Sequence, residues 1–119
     1  MKKIKIDFAQ ISDLEDLHTF MSETFGFTVY GRNLSALIDC LFYLRYPEDN
    51  FIKMSIKDDE KLILEISNYT DSKEDLLEYI VIASYAVNTK HSYKGKLPSI
   101  LLEITKVIPE KYVPKKGSF

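Results

Sequence analysis

"YGRNLSALIDCLFYL", residues 30–44, is the stretch on which the fold turns, and it reads as a helix with a sharp entrance. Gly31 permits a tight turn of the backbone. Asn33 is a favoured N-cap, because its side-chain oxygen can accept a free N–H of the first helical turn. At 100° per residue from Leu34 onward, Leu34, Leu37, Ile38, Leu41 and Leu44 gather on one face, with Cys40 at its edge. The opposite face holds Ser35, Ala36, Asp39, Phe42 and Tyr43. That face has one carboxylate, no lysine and two aromatic rings, whereas a solvated helix face mixes Lys and Glu. Two rings around a lone acid indicate a surface that meets a partner, with coverage by a second layer such as residues 51–56 as the alternative.

Working outward, residues 2–8, "KKIKIDF", alternate with period two and predict a strand. Ser12 followed by Glu15 reads as a capping box for a first helix over 13–25, which Gly26 stops. Pro47 ends the region of the second helix, and "YPEDN" is a turn. Residues 51–56 and 61–68 are expected as two strands joined by the polar "KDDE", and residues 62–66 are apolar enough for a central strand covered on both faces. Ser72 is the expected cap of a third helix over 73–90, whose middle is apolar almost all round, so most of its circumference should be buried. "HSYKGK" reads as a loop and residues 97–105 as a last strand. The order strand, helix, helix, strand, helix, strand predicts a small α/β domain, three-layer-like, with a mainly parallel sheet and a possible extra strand at 51–56. Residues 1–106 form that domain, and 107–119 a tail without assignment.

The bulk numbers agree with one globular domain: 119 residues, 45% hydrophobic and 29% charged. Sixteen basic against eighteen acidic side chains leave a formal net charge of -2, which argues against nucleic acid as a ligand, since phosphate binding needs a basic field. The one cysteine, Cys40, cannot form an internal disulfide and fits a reducing compartment. No signal peptide and no run of membrane-spanning length is seen, so a cytoplasmic protein without a membrane partner is expected.

Signals for chemistry are sparse. There is no glycine-rich phosphate loop, HExxH, CxxC or GxSxG. His18 reads as a packed helix residue, and His91 as a cation favoured near a helix C-terminus. Cys40 reads as an inert buried thiol, the acids at 57–60 as a solvated tip, and Tyr79 and Tyr85 as core residues of the third helix. No catalytic residue, metal or cofactor is expected. An enzyme using Asp39 with Tyr30 or His18 ranks last, because a convex helix face supplies no cleft.

At "VYGRNLSALIDCL" the sequence resembles the barstar family, the intracellular inhibitors of small secreted ribonucleases. An N-terminal "KKIKI" strand, a "DLH" first helix, the Tyr-Gly-x-Asn-Leu run with Asp-Cys six residues on, and a final apolar strand stand in the family's order. The resemblance implies a three-stranded parallel sheet packed with helices, and a second helix whose preceding loop plugs a ribonuclease active site. Tyr30, Gly31, Asn33, Leu34 and Asp39 match the inhibitory segment. The aspartate at the Asp39 position enters a cationic pocket in the family, where its carboxylate takes a phosphate site. The expected partner-facing set is Val29, Tyr30, Gly31, Asn33, Leu34, Ser35, Ile38, Asp39, Phe42 and Tyr43. The chain departs from the family with Val29 where an aromatic is common, Ser35 where an acid is, and Ile38 where an indole is. Arg32 adds a positive charge, and the family's second acidic contact falls among apolar residues near Ile82. The implied function is inhibition of a cognate ribonuclease or toxin domain by a bacterial, cytoplasmic immunity protein that is a monomer when free. A non-inhibitory protein-binding module, or immunity to a non-ribonuclease toxin, is the alternative.

Overall fold

The computed structural model describes residues 2–106, so the tail expected at 107–119 lies outside the described residues. Three strands, β1 (Lys2–Asp7), β2 (Leu62–Tyr69) and β3 (Ile100–Lys106), form a sheet of order β1-β2-β3 in which both pairs are parallel. Three helices connect them: α1 (Leu14–Phe25), α2 (Leu34–Phe42) and α3 (Glu74–Tyr93). Parallel neighbours require crossovers, and right-handed crossovers that advance in one direction across the sheet put all the helices on one face.

The register follows from side-chain alternation. Ile4, Leu64 and Leu102 stand in one row, and Ile6, Ile66 and Ile104 in another. These rows face the helices, where Ile6, Leu64 and Ile66 join a core with Leu17, Phe25, Leu37, Leu41, Ile80 and Val87. The expected burial of β2 on both faces holds at Ile63, but its row neighbours Lys3 and Leu101 are exposed, as are Lys5 and Glu103 one row on. Lys3 Nζ reaches Glu65 at 3.7 Å and Glu103 at 3.9 Å across that solvated face.

The strand expected at 51–56 does not form; within the segment only an isolated antiparallel bridge joins Phe27 and Ile52. Its alternation is real, since Ile52 and Ile56 are buried and Met54 packs on the core. Its backbone pairs with loop and helix-end carbonyls instead of a strand. Lys53 and Met54 N–H groups donate to the Phe25 carbonyl, both at 3.1 Å, and Ile56 N–H to that of Leu44 at 2.8 Å. Here the close approach demands glycine at position 26. Gly26 has φ 70°, and a β-carbon there would sit 2.7 Å from the Lys53 side chain.

Helix boundaries differ from expectation in three places. Asp13, not Ser12, caps α1 by accepting from Asp16 N–H at 2.9 Å, while the Asp16 carboxylate accepts from Ser12 N–H. Ser72 does not cap α3, which instead continues from a 3₁₀ turn at Asp71–Lys73. The helix also runs on through His91, where a loop was expected. Finally, α3 is not buried all round. Val81, Ile82 and Tyr85 are exposed, and Tyr85, expected in the core, is 73% accessible. The helix leans on α2 and the sheet, and among the described residues no element lies over its outward face.

Candidate functional site

The segment before α2 is held from two sides. The Tyr30 hydroxyl bonds to His18 Nδ1, and the Tyr79 hydroxyl meets His18 Nε2 at 3.2 Å. His18 is therefore the packed residue expected, and it ties the loop to α1 and α3. Burial holds its imidazole below the ordinary pKa, with the Arg32 charge adding to the effect. Burial also pushes the Tyr30 phenol well above its usual range. Two residues on, Arg32 adopts φ 55°. Its guanidinium donates to the Glu15 carboxylate at 3.0 Å and to Thr19 Oγ1 at 2.9 Å. Much of that charge is thereby directed back onto α1.

Asn33 caps α2 as expected: its side-chain oxygen accepts from Ala36 N–H at 2.8 Å. Leu37, Leu41 and Leu44 are buried. Leu34 and Ile38 keep partial exposure while packing on the core. Gly31, Asn33 and Ser35 face solvent, and Val29 is 76% exposed. Asp39 projects from the helix with 69% of its side chain accessible, and Lys90 Nζ from α3 stands 3.5 Å from its carboxylate.

Phe42 and Tyr43, the rings of the opening stretch, are half covered. Phe42 lies over His91 at 5.1 Å between centroids and stacks on Tyr46 at 5.0 Å, while Tyr43 meets Phe51 at 4.5 Å. The second layer considered at the sequence level thus exists in part. It leaves an open groove of about 760 Å³ lined by Val29, Gly31, Ala36, Asp39, Cys40, Phe42, Tyr43, Phe51, Lys90, Tyr93 and Lys94. Cys40 is buried at its floor and directs its thiol to the Val29 carbonyl at 3.4 Å. Burial, and then the Asp39 charge, raise the thiol pKa, so the sulfur stays protonated and unreactive.

The structure brings together Val29, Gly31, Asp39, Phe42 and Tyr43 of the expected set around this groove. It turns the hydroxyl of Tyr30 inward. Sequence reading missed Phe51, Lys90, Tyr93 and Lys94, which enter from other segments. The i, i+4 spacing of Lys90 and Lys94 was legible, but the neighbour of that helix face was not. Also missed was a buried chain of hydrogen bonds beneath the groove. Arg45, buried, donates from Nε to Ser99 Oγ at 2.7 Å, and its guanidinium also reaches the Lys57, Glu60 and Pro98 carbonyls. Ser99 Oγ bonds to His91 Nδ1, and His91 Nε2 to the Phe42 carbonyl at 2.7 Å. His91 is wholly buried inside the last turns of α3, where the sequence had suggested only a cation following the helix, and it closes the last turn of α2. Among the described residues no group of three or more His, Cys, Asp or Glu side chains could hold a metal ion.

Neither the curated proteins nor the solved structures compared with the chain gave a match. A family model described as Barstar (barnase inhibitor) matches residues 1–88. The matched span runs from β1 through most of α3 and includes the whole loop and helix that carry Asp39. Matched over about three quarters of its length, this chain belongs to the barstar family.

Proposed function

We propose that the protein is a cytoplasmic immunity protein that binds a cognate toxin ribonuclease and blocks its active site with the loop and helix 29–44. Members of its family are inhibitors rather than enzymes, and the family description names barnase as the target. The observation that carries the reading is Asp39: a carboxylate held in solvent on a capped helix, beside an apolar groove that excludes water once a partner closes over it. Such a carboxylate already stands where a cationic phosphate-binding site can reach it, with the exposed Lys90 giving way to the partner's cation, and expelling water strengthens the pairing.

The test is RNA cleavage by barnase with increasing amounts of the chain, with binding kinetics measured on captured protein. Wild type should inhibit. Asp39→Ala should weaken binding about 30-fold, the ~2 kcal/mol threshold of a hot spot, mainly through the off-rate. Its melting temperature should not move, because an exposed helix acid contributes little to stability. Equal binding by the variant would remove Asp39 from the mechanism. Barnase left fully active would favour a second reading, immunity to a toxin whose site is not purely cationic. The pairing of Lys90 with Asp39 supports that second reading.

A further inference from the structure

The groove beside Asp39 carries features for which an anionic plug has no use. Its walls are apolar, formed by Val29, Ala36, Phe42, Tyr43 and Phe51. Its charged lining is one acid, Asp39, against two bases, Lys90 and Lys94, which leaves one positive charge in excess. Lys90 lies 3.5 Å from Asp39 and 6.0 Å from the centre of the Phe42 ring, so its ammonium sits over the groove wall. Lys94 is exposed, and no carboxylate among the described residues lies within ion-pair distance of it. At the same end stands Tyr93, 87% exposed.

We propose that this groove receives an acidic, aromatic segment of the partner protein. An aromatic side chain seats against Phe42, Tyr43 and Phe51, where offset and edge contacts between rings are favourable. A carboxylate beside it pairs with Lys90 and Lys94. When a cation of the partner reaches Asp39, Lys90 turns from Asp39 to that carboxylate, so neither charge is left unpaired under the interface. The partner's contact surface is therefore of mixed charge, an acid next to a base, and Lys90 selects against a surface that offers only cations. The inference rests on the reading of 29–44 as the partner-binding face.

Three small probes test it on the full chain by amide chemical-shift titration: N-acetylphenylalanine, its carboxamide, and phenethylammonium. The carboxylate probe should shift the amides of Gly31, Ala36, Phe42 and Lys94. It should bind about threefold more tightly than the carboxamide, the size of an exposed ion pair. The double substitution Lys90→Ala with Lys94→Ala should erase that preference and leave the melting temperature unchanged. Equal binding of acid and amide, preference for the ammonium, or no shifts at the groove with any probe would each overturn the proposal. The barnase assay separates the two readings. Inhibition without a carboxylate preference would sink only the groove proposal. A carboxylate preference with barnase untouched would sink only the choice of target.

Discussion

His91 bonds to the Phe42 carbonyl through Nε2 and to Ser99 Oγ through Nδ1, while Ser99 Oγ receives Arg45 Nε. The Phe42 carbonyl can only accept, so His91 carries a proton on Nε2. Burial is the largest cause that holds its pKa below the ordinary value; the Phe42 carbonyl opposes it, and the Arg45 and Lys96 charges add to it. The pKa of His18 is lowered as well, again chiefly by burial. The consequence for stability has a definite sign. An unfolded histidine takes up a proton near pH ~6.5 while the folded one stays neutral to lower pH, so stability is full above that range and falls as pH drops through it. Each histidine should contribute a slope of up to ~1.4 kcal/mol per pH unit below pH ~6.5. Urea unfolding from pH 8 to 5 measures this, and His91→Gln should make the slope shallower. A stability flat over that range would mean that both imidazoles charge inside the fold without cost. The packing of His18 was legible in the sequence, but the role of His91 was not, because its partners Phe42 and Ser99 lie 49 and eight residues away and only the fold brings them together.

At the scale of elements, α2 is where sequence and structure agree most closely. Its cap at Asn33, its buried Leu37 and Leu41 and its exposed Asp39 all follow from local chemistry and a 3.6-residue period. Leu37→Ala should therefore cost about 2–5 kcal/mol, as large core truncations do, and Asn33→Ala about 1 kcal/mol for the lost cap. Chemical denaturation of both variants checks the helix phase, and an unchanged midpoint for Leu37→Ala would show it to be wrong. The misreadings also sit at this scale. Residues 51–56 alternate like a strand because one side faces the core, but their N–H groups reach the Phe25 and Leu44 carbonyls. Alternation reports which side is buried, not which backbone is paired. In α3 the apolar circumference predicted burial of most of the helix, yet Val81, Ile82 and Tyr85 remain in solvent. Hydrophobicity states what could be buried; the number of neighbours a helix has is a property of the assembled layers.

The whole molecule has a small formal charge of -2, and around Asp39 the charges of Lys90 and Lys94 oppose it. Long-range steering toward a basic nuclease should be weak. Raising the salt from ~50 to ~500 mM should slow association with barnase by less than ~10-fold, below the effect expected of a strongly steered pair. Stopped-flow association at several ionic strengths tests this, and a much steeper dependence would reveal a focused field that the net charge conceals. By itself the sequence determined the alternation of strands and helices, the parallel character of the sheet and the exposed acid on a capped helix. Each of those depends on residues close together in the chain, through turn chemistry, side-chain period and the need for crossovers between parallel strands. Only the tertiary structure decided that α2 shares a groove with the end of α3, that Lys90 faces Asp39, and that Arg45, Ser99 and His91 form one buried chain. Those pairs span 51, 54 and eight residues, and no local propensity records which distant side chains the packing of helices on one sheet face will bring together.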